Sequence, residues 1–180
     1  MYDSPEATLE KIQLGEDTSL ELKAVRLRGH KVVSPRREEL ADELAAMANT
    51  YDGVLVLGVD DTTKGVTGIP NDRLEAVERY VYEICHERIT PPLLFRSFRM
   101  HLPGPEGEEK TVLKVDVPRS LFVHESPGGY FHRQGSSKRK MPPDLLARLF
   151  QQRSQARVIR FEEQPVPQAR IEDLSEALWR

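Results

Sequence analysis

The 180-residue chain contains one cysteine, Cys85, and one tryptophan, Trp179. A lone thiol excludes an intrachain disulfide and any cysteine-built structural zinc site, and it suits a reducing compartment. No stretch approaches the ~20 apolar residues that a bilayer-spanning helix needs. Residues Met1 to Glu6 are acidic, with no apolar signal region behind them. A soluble, cytoplasmic protein without a membrane partner is therefore expected. Positive charge is not in excess: 26 Lys and Arg face 29 Asp and Glu, a formal net charge of -3. A uniformly basic coat is ruled out, so any phosphate-binding surface must come from local clustering. The glycine-rich loop ending in Gly-Lys-Ser/Thr is missing, as is a dinucleotide fingerprint, and Gly53 and Gly58 do not make a phosphate loop. ATP binding is unsupported by the residues. His86, His101, His124 and His132 have no ligand spacing, and Cys85 lies beside an apolar stripe as a core residue.

What is present is periodic. Ser4 and Pro5 open a short helix to about Leu14. Ser19 to Val25 alternates, predicting a half-buried strand with Leu20 and Leu22 on the core face and Glu21 and Lys23 together on the other. Arg26 to Pro35 reads as a polar loop. Ser34 as cap, Pro35 at the first position and Glu38 near the capping-box position predict a helix with Leu40, Leu44, Met47 and Ala48 as its stripe, stopped by Asn49 to Gly53. The apolar run Val54 to Val59 suits a strand covered on both faces. Asp60, Asp61 and a turn at Lys64 follow, then a short strand near Val66 to Ile69. Asn71 caps a helix to about Glu87; a hairpin (Leu93 to Leu102, Thr111 to Val117), a strand at Tyr130 to Arg133 and a helix at Asp144 to Gln152 complete the series. The expectation is one α+β (α/β-like) domain over residues 1–155, a mixed β-sheet with helices packed mainly on one side. Residues 156–180 read as a connector or C-terminal tail, with a last helix at Ile171 to Trp179.

Two constellations carry chemistry. Glu16, Glu21 and Lys23, with Asp60 much later, are the residue types of metal-assisted phosphodiester cleavage. Carboxylates gather a divalent cation, which activates a nucleophile, and a lysine steadies the charge of the transition state. Among 29 acidic residues such a set also arises by chance, and Asp60-Asp61 also reads as the start of a turn. The second constellation is basic. Arg26, Arg28, His30, Lys31, Arg36 and Arg37 lie in a stretch free of acids, and Arg133, Lys138, Arg139 and Lys140 adjoin Gly135, Ser136 and Ser137. Arginines bind phosphates bidentately, and glycine and serine let the backbone approach them. Tyr130 and Phe131 are candidates for stacking on unpaired bases. Taken singly, such runs are solvated loops; two of them flanking the acidic set point to phosphate binding.

The run Glu38 to Asp61, with Ala48-Asn49-Thr50, the glycine turn and the strand ending Gly58-Val59-Asp60-Asp61, resembles the hallmark of the bacterial Schlafen/Alba-like domain family. Met47 stands where the family has phenylalanine, and Asp52 replaces the first of two glycines. Glu16 to Lys23 is similar to the family's Glu-x-x-x-x-Glu-x-Lys pattern. Ile89-Thr90-Pro91-Pro92, Val115-Asp116-Val117-Pro118 and Arg133 to Arg139 are similar to its second-half signatures. The resemblance extends over roughly residues 7 to 155.

The resemblance implies a nucleic-acid-binding domain with a Schlafen-like core. In the animal Schlafen ribonucleases two glutamates and an aspartate form a metal-dependent site that cleaves transfer RNA. Carried over, these fall on Glu16, Glu21 and Asp60, with Mg²⁺ or Mn²⁺ as cofactor and Lys23 beside the phosphate. The zinc ligands of the animal proteins have no counterpart here. Many bacterial members are instead DNA- or RNA-binding regulatory modules, named among transcriptional regulators as a divergent ATP-binding group. Nucleic acid, as transfer RNA, other RNA or DNA, is the expected partner, gripped by Arg26, Arg28, Lys31, Arg36, Arg37, Arg133, Ser136, Ser137, Lys138, Arg139 and Lys140. In the animal family two such lobes form a U-shaped cradle, which a homodimer of this chain would rebuild.

Overall fold

A computed structural model describes residues 4–157. The expected last helix at 171–179 lies outside the described residues. In chain order the elements are α1 (Pro5–Leu14), β1 (Leu20–Lys23), β2 (Arg26–Arg28), β3 (Lys31–Ser34), α2 (Arg37–Thr50), β4 (Gly53–Leu57), a 3₁₀ turn (Asn71–Arg73), α3 (Leu74–Glu87), β5 (Arg96–Pro103), β6 (Glu109–Val117), β7 (Phe131–Gln134), β8 (Ser137–Lys140) and α4 (Pro143–Arg157). Among the described residues no helix is long and apolar enough to cross a membrane.

The central sheet has the order β1-β4-β6-β5, with β1 and β4 parallel and the other neighbours antiparallel. A parallel pair needs a crossover, here the β2–β3 hairpin followed by α2. β4 is buried along its whole length, as its unbroken apolar run predicts. Its side chains alternate between two cores. Leu55 and Leu57 join Leu113, Val115 and Val117 beneath α2 and α3. Val54 and Val56 join Leu20, Leu22 and Val112 beneath Ile12 of α1. Two helices thus cover one face and α1 the other, the expected α+β class with its helices mainly on one side.

Two glycines set the ends of β4. A Cβ on Gly53 would lie 2.8 Å from the Met47 sulfur, so the turn after α2 closes directly onto that side chain. Gly58 has φ 102, which a side chain disfavours. There the backbone leaves the sheet: its N–H still donates to the Lys23 carbonyl at 2.8 Å, while its carbonyl accepts from Thr67 and Gly68 at 2.9 Å each.

Several local expectations change. Arg26 to Pro35 is a two-stranded hairpin, β2–β3, turning at Gly29 with φ 62. Its alternation spans too few residues to register as a period, yet Val32 is buried in the α2–α3 core. The helix expected to be capped by Ser34 begins at Arg37, with Arg36 as N-cap and no side-chain cap. Pro35 is held outside it, its carbonyl accepting from the Tyr80 hydroxyl at 2.6 Å. Val66 to Ile69 forms only a single bridge, Val59 to Val66. Asn71 caps nothing; its Oδ1 accepts from the Thr111 hydroxyl at 3.0 Å. Ser137 to Lys140, to which the sequence assigns no element, forms β8 and closes a hairpin with β7. Cys85 is in the core, where burial pushes its thiol up to about 12.

Candidate functional site

The alternation of β1 does put Glu21 and Lys23 opposite Leu20 and Leu22, but their face is not half open. It is covered by α2 and β7, and Glu21 is 3% exposed. Arg133 enters from β7 with its side chain fully buried and closes the space. Its guanidinium donates to Glu21 Oε2 at 2.8 Å and to Glu43 Oε2 of α2 at 3.2 Å. It also donates to the carbonyls of Asp17 at 2.8 Å, Leu20 at 3.3 Å and Ser136 at 3.3 Å. Lys23 pairs with Glu21 Oε1, and Lys138 sits 3.2 Å from Glu43 Oε1. Two buried carboxylates therefore alternate with three cations, tying β1, α2, β7 and β8 together. Arg133 is thus not a surface phosphate ligand, contrary to the expectation for the second basic cluster; it is the floor of the site.

The electrostatics follow from that packing. Burial, then the charge of Glu21, raises the Glu43 carboxyl above its ordinary value, against the pull of Lys138 and Arg133. For Lys23, burial opposes the charged form, but the hydrogen bond and charge of Glu21, with Glu16 and Glu43 nearby, outweigh it and raise its pKa. Since the folded pKa of Glu43 lies above its unfolded value of 4.5, its protonated form favours the native state. That stabilisation is complete below the unfolded value and is lost as pH rises through the folded one. Glu43→Gln keeps the uncharged form throughout. Its melting temperature relative to wild type should thus improve between about pH 4 and pH 7. A difference that stays flat over that range would show that Glu43 is not held in this way.

The acidic residues expected to share a metal have separate tasks. Glu16 is half-buried, and its Oε1 accepts from the Leu22 amide at 2.9 Å. Both oxygens of Glu21 face cations. Asp60 folds its own turn, its Oδ1 accepting from the amides of Thr62 at 3.0 Å and Thr63 at 2.8 Å and from the Thr63 hydroxyl at 3.0 Å. The Thr63 amide and hydroxyl, with the Thr62 amide and the Lys64 charge, hold the Asp60 carboxyl below its usual range. Among the described residues no three His, Cys, Asp or Glu side chains gather closely enough to hold a metal ion. A divalent cation would have to displace Lys23 or Arg133 from Glu21, so this arrangement does not fit one.

The remaining basic residues divide by exposure. Arg26, Arg28 and Lys31 of the first hairpin, and Arg36 after it, are exposed. So are Ser136, Ser137, Arg139 and Lys140 of the second. Arg37 is half-buried, 2.5 Å from Glu83 and 4.6 Å above the Tyr80 ring. It lines a groove of about 390 Å³ with Arg28, His30, Lys31 and Arg79. Lys138, half-buried, also donates to the Glu39 carbonyl in the first turn of α2 at 3.3 Å. Phe131 is buried, and Tyr130 packs edge-on against Phe150. Phe131 is thus core, and the Tyr130 ring already has an aromatic neighbour.

The Asn49-Thr50 pair, expected to stop α2, is a clasp that joins it to the second half of the domain. Asn49 is buried and donates to the carbonyls of His124 at 2.8 Å and Phe131 at 3.1 Å, while its Oδ1 accepts from the His124 amide at 2.8 Å. Thr50 Oγ1 accepts from the Arg133 amide at 2.8 Å and donates to Ala46. Arg153 of α4 then caps the last turn, donating to the carbonyls of Ala48 at 3.0 Å and Asn49 at 2.7 Å. Sequence reasoning passed over Glu43 and Arg153 as site-forming residues. Each is one charged residue among many on its helix, and no spacing singles it out.

Comparison with known proteins places the chain in a family. The family described as Schlafen, AlbA_2 matches residues 16–142, from Glu16 through the end of the β7–β8 hairpin. The Poxin-Schlafen protein of Monkeypox virus (strain Zaire-96-I-16) is 25% identical over 157 residues, covering 77% of this chain and 31% of the relative. That of Cowpox virus (strain Brighton Red) is 24% identical over 145 residues, covering 73% and 29%. The chain thus spans about a third of the length of these curated relatives. The crystal structure of the DIP2311 protein from Corynebacterium diphtheriae aligns with a TM-score of 0.50 at 23% identity, covering 76% of this chain and 26% of that one, a likeness of fold. With more than half of its length matched, from Glu16 ahead of β1 to the basic hairpin, this chain belongs to the Schlafen AlbA_2 family.

Proposed function

We propose that this domain binds the phosphate backbone of RNA or DNA through its two basic hairpins, and that the ionic centre beneath them is scaffold. One observation carries the reading: both hairpins bear exposed cations, Arg26, Arg28 and Lys31 on β2–β3 and Arg139 and Lys140 on β8, and both adjoin α2, the first by leading into it and the second by packing on it. Arg36 forms the N-cap of that helix, and Lys138 of β8 donates to the Glu39 carbonyl in its first turn. The first backbone N–H groups of α2 have no side-chain cap, and they carry the positive end of the helix dipole. Arg28, Lys31, Arg139 and Lys140, all exposed, are the side chains assigned to the phosphates, and such contacts require no covalent chemistry. Cleavage through Glu16, Glu21 and Asp60 is the weaker reading, because Glu21 is enclosed by cations and Asp60 is engaged in its turn.

Binding of transfer RNA and of single-stranded DNA, followed by fluorescence anisotropy at several salt concentrations, tests this. Log affinity is expected to fall linearly with log salt. The paired reversals Arg28→Glu with Lys31→Glu, and Arg139→Glu with Lys140→Glu, should each weaken binding roughly 10- to 100-fold. Each should also make the salt slope shallower by about one for every phosphate no longer neutralised. Unchanged affinity and slope in both variants would place the interface elsewhere. The same transfer RNA incubated with Mn²⁺ or EDTA should be recovered intact. Metal-dependent cleavage that disappears in Glu16→Gln and Asp60→Asn would replace the binding reading with the nuclease one. These variants are preferable to Glu21→Ala, which would break the Arg133 centre and mix folding with chemistry.

A further inference from the structure

Far from these cations in character is an apolar patch between the β6 end and α4. Leu94 is 75% exposed, Leu121 56%, Phe122 41% and Phe150 46%. Two adjoining grooves, of about 490 and 250 Å³, share Pro91, Leu121 and Phe122. Arg119 lines the larger one and is the charged side chain among its walls. Large apolar side chains that cluster in this way mark a surface built to be covered.

The chain itself supplies a matching cover. Arg153 and Ser154, in the last turns of α4, line the smaller groove, so the described chain ends close to the patch. Thirteen residues separate Arg157 from Ile171, a reach of roughly 43–47 Å when extended. Ile171, Leu174 and Leu178 then fall at the spacing of one helical stripe, with Trp179 beside Leu178. Glu172, Asp173 and Glu176 give that segment an acidic side, complementary to Arg119. A tethered segment binds at high effective concentration, so a modest apolar interface suffices. We infer that residues 171–179 dock intramolecularly into the Leu94–Leu121–Phe122 groove, apolar stripe inward and acidic side towards Arg119.

Trp179 is the single tryptophan of the chain, so its emission reads this docking directly in the intact protein. Wild type should show blue-shifted emission and shielding from iodide relative to the free peptide 165–180. Leu121→Glu, at an exposed position, should abolish both, and trypsin should cut after Arg170 roughly tenfold faster, the change expected when one leucine is taken out of an apolar interface. Leu174→Glu, which leaves the domain untouched, should do the same from the tail side. Emission and quenching of wild type equal to those of the peptide would overturn the proposal. So would a blue shift that appears only as concentration rises and the mass doubles, which would assign the segment to the groove of a second copy.

Discussion

Replacing Arg133 with alanine is expected to destabilise the domain by about 3–5 kcal/mol, the cost of leaving a buried ionic centre without one partner. Glu21 and Glu43 are 3% and 11% exposed at their side chains and would face each other across the emptied space with only Lys23 and Lys138 beside them. Three backbone carbonyls, of Asp17, Leu20 and Ser136, would lose a donor in the same step, that of Leu20 keeping the Asp17 amide at 3.3 Å. For a chain of this size the melting temperature should fall by roughly 6–20 °C. The double variant Arg133→Met with Glu21→Gln should recover part of the loss, because it removes the uncompensated charge along with its partner. Urea unfolding at neutral pH measures all three proteins. A loss below about 1 kcal/mol for Arg133→Ala would mean that the centre does not hold β7 to β1.

The second large effect is expected at the other end of α2. Arg153→Ala should cost roughly 2–4 kcal/mol, since the guanidinium donates to three backbone carbonyls, of Ala48, Asn49 and Phe122, at a buried helix terminus. A cation there also opposes the negative end of the helix dipole. Burial, with the Arg119 charge next, lowers the Arg153 pKa to about 10, still far enough above neutrality to keep it charged. Arg153→Lys should recover only part of the loss, because one ammonium cannot reproduce the planar fork of donors. Hydrogen exchange gives a readout specific to this cap: amides around Asn49, His124 and Phe131 should become less protected in Arg153→Ala before those of β4 and β6 do. Equal deprotection across the whole sheet would argue for a general effect instead.

These two arginines show which parts of the molecule could be read along the chain. α3 was legible because Val77, Val81 and Ile84 repeat at helical spacing, β4 because Val54 to Leu57 is an unbroken apolar run, and the β5–β6 hairpin because two strand-like stretches flank a turn-rich segment. The β2–β3 hairpin was not, because three or four residues per strand are too few for a period and their charges mask the buried Val32. Asn49 and Thr50 were visible as a motif, yet their sequence suggested only a helix stop. Their bonds go to His124, Phe131 and Arg133, more than seventy residues away, and no local rule reaches that far.

By itself, then, the sequence determined the class of the fold, the family pattern and the two concentrations of positive charge, since each depends on residues close together in the chain. Only the tertiary structure decided what the charged residues do. It took Arg133 out of solvent, set Glu43 beside Glu21, and gave Asp60 a turn of its own. The physical reason is that a charge takes its role from its surroundings: the same arginine grips a phosphate when water-exposed and becomes a structural pivot when α2 and β1 close over it with two carboxylates.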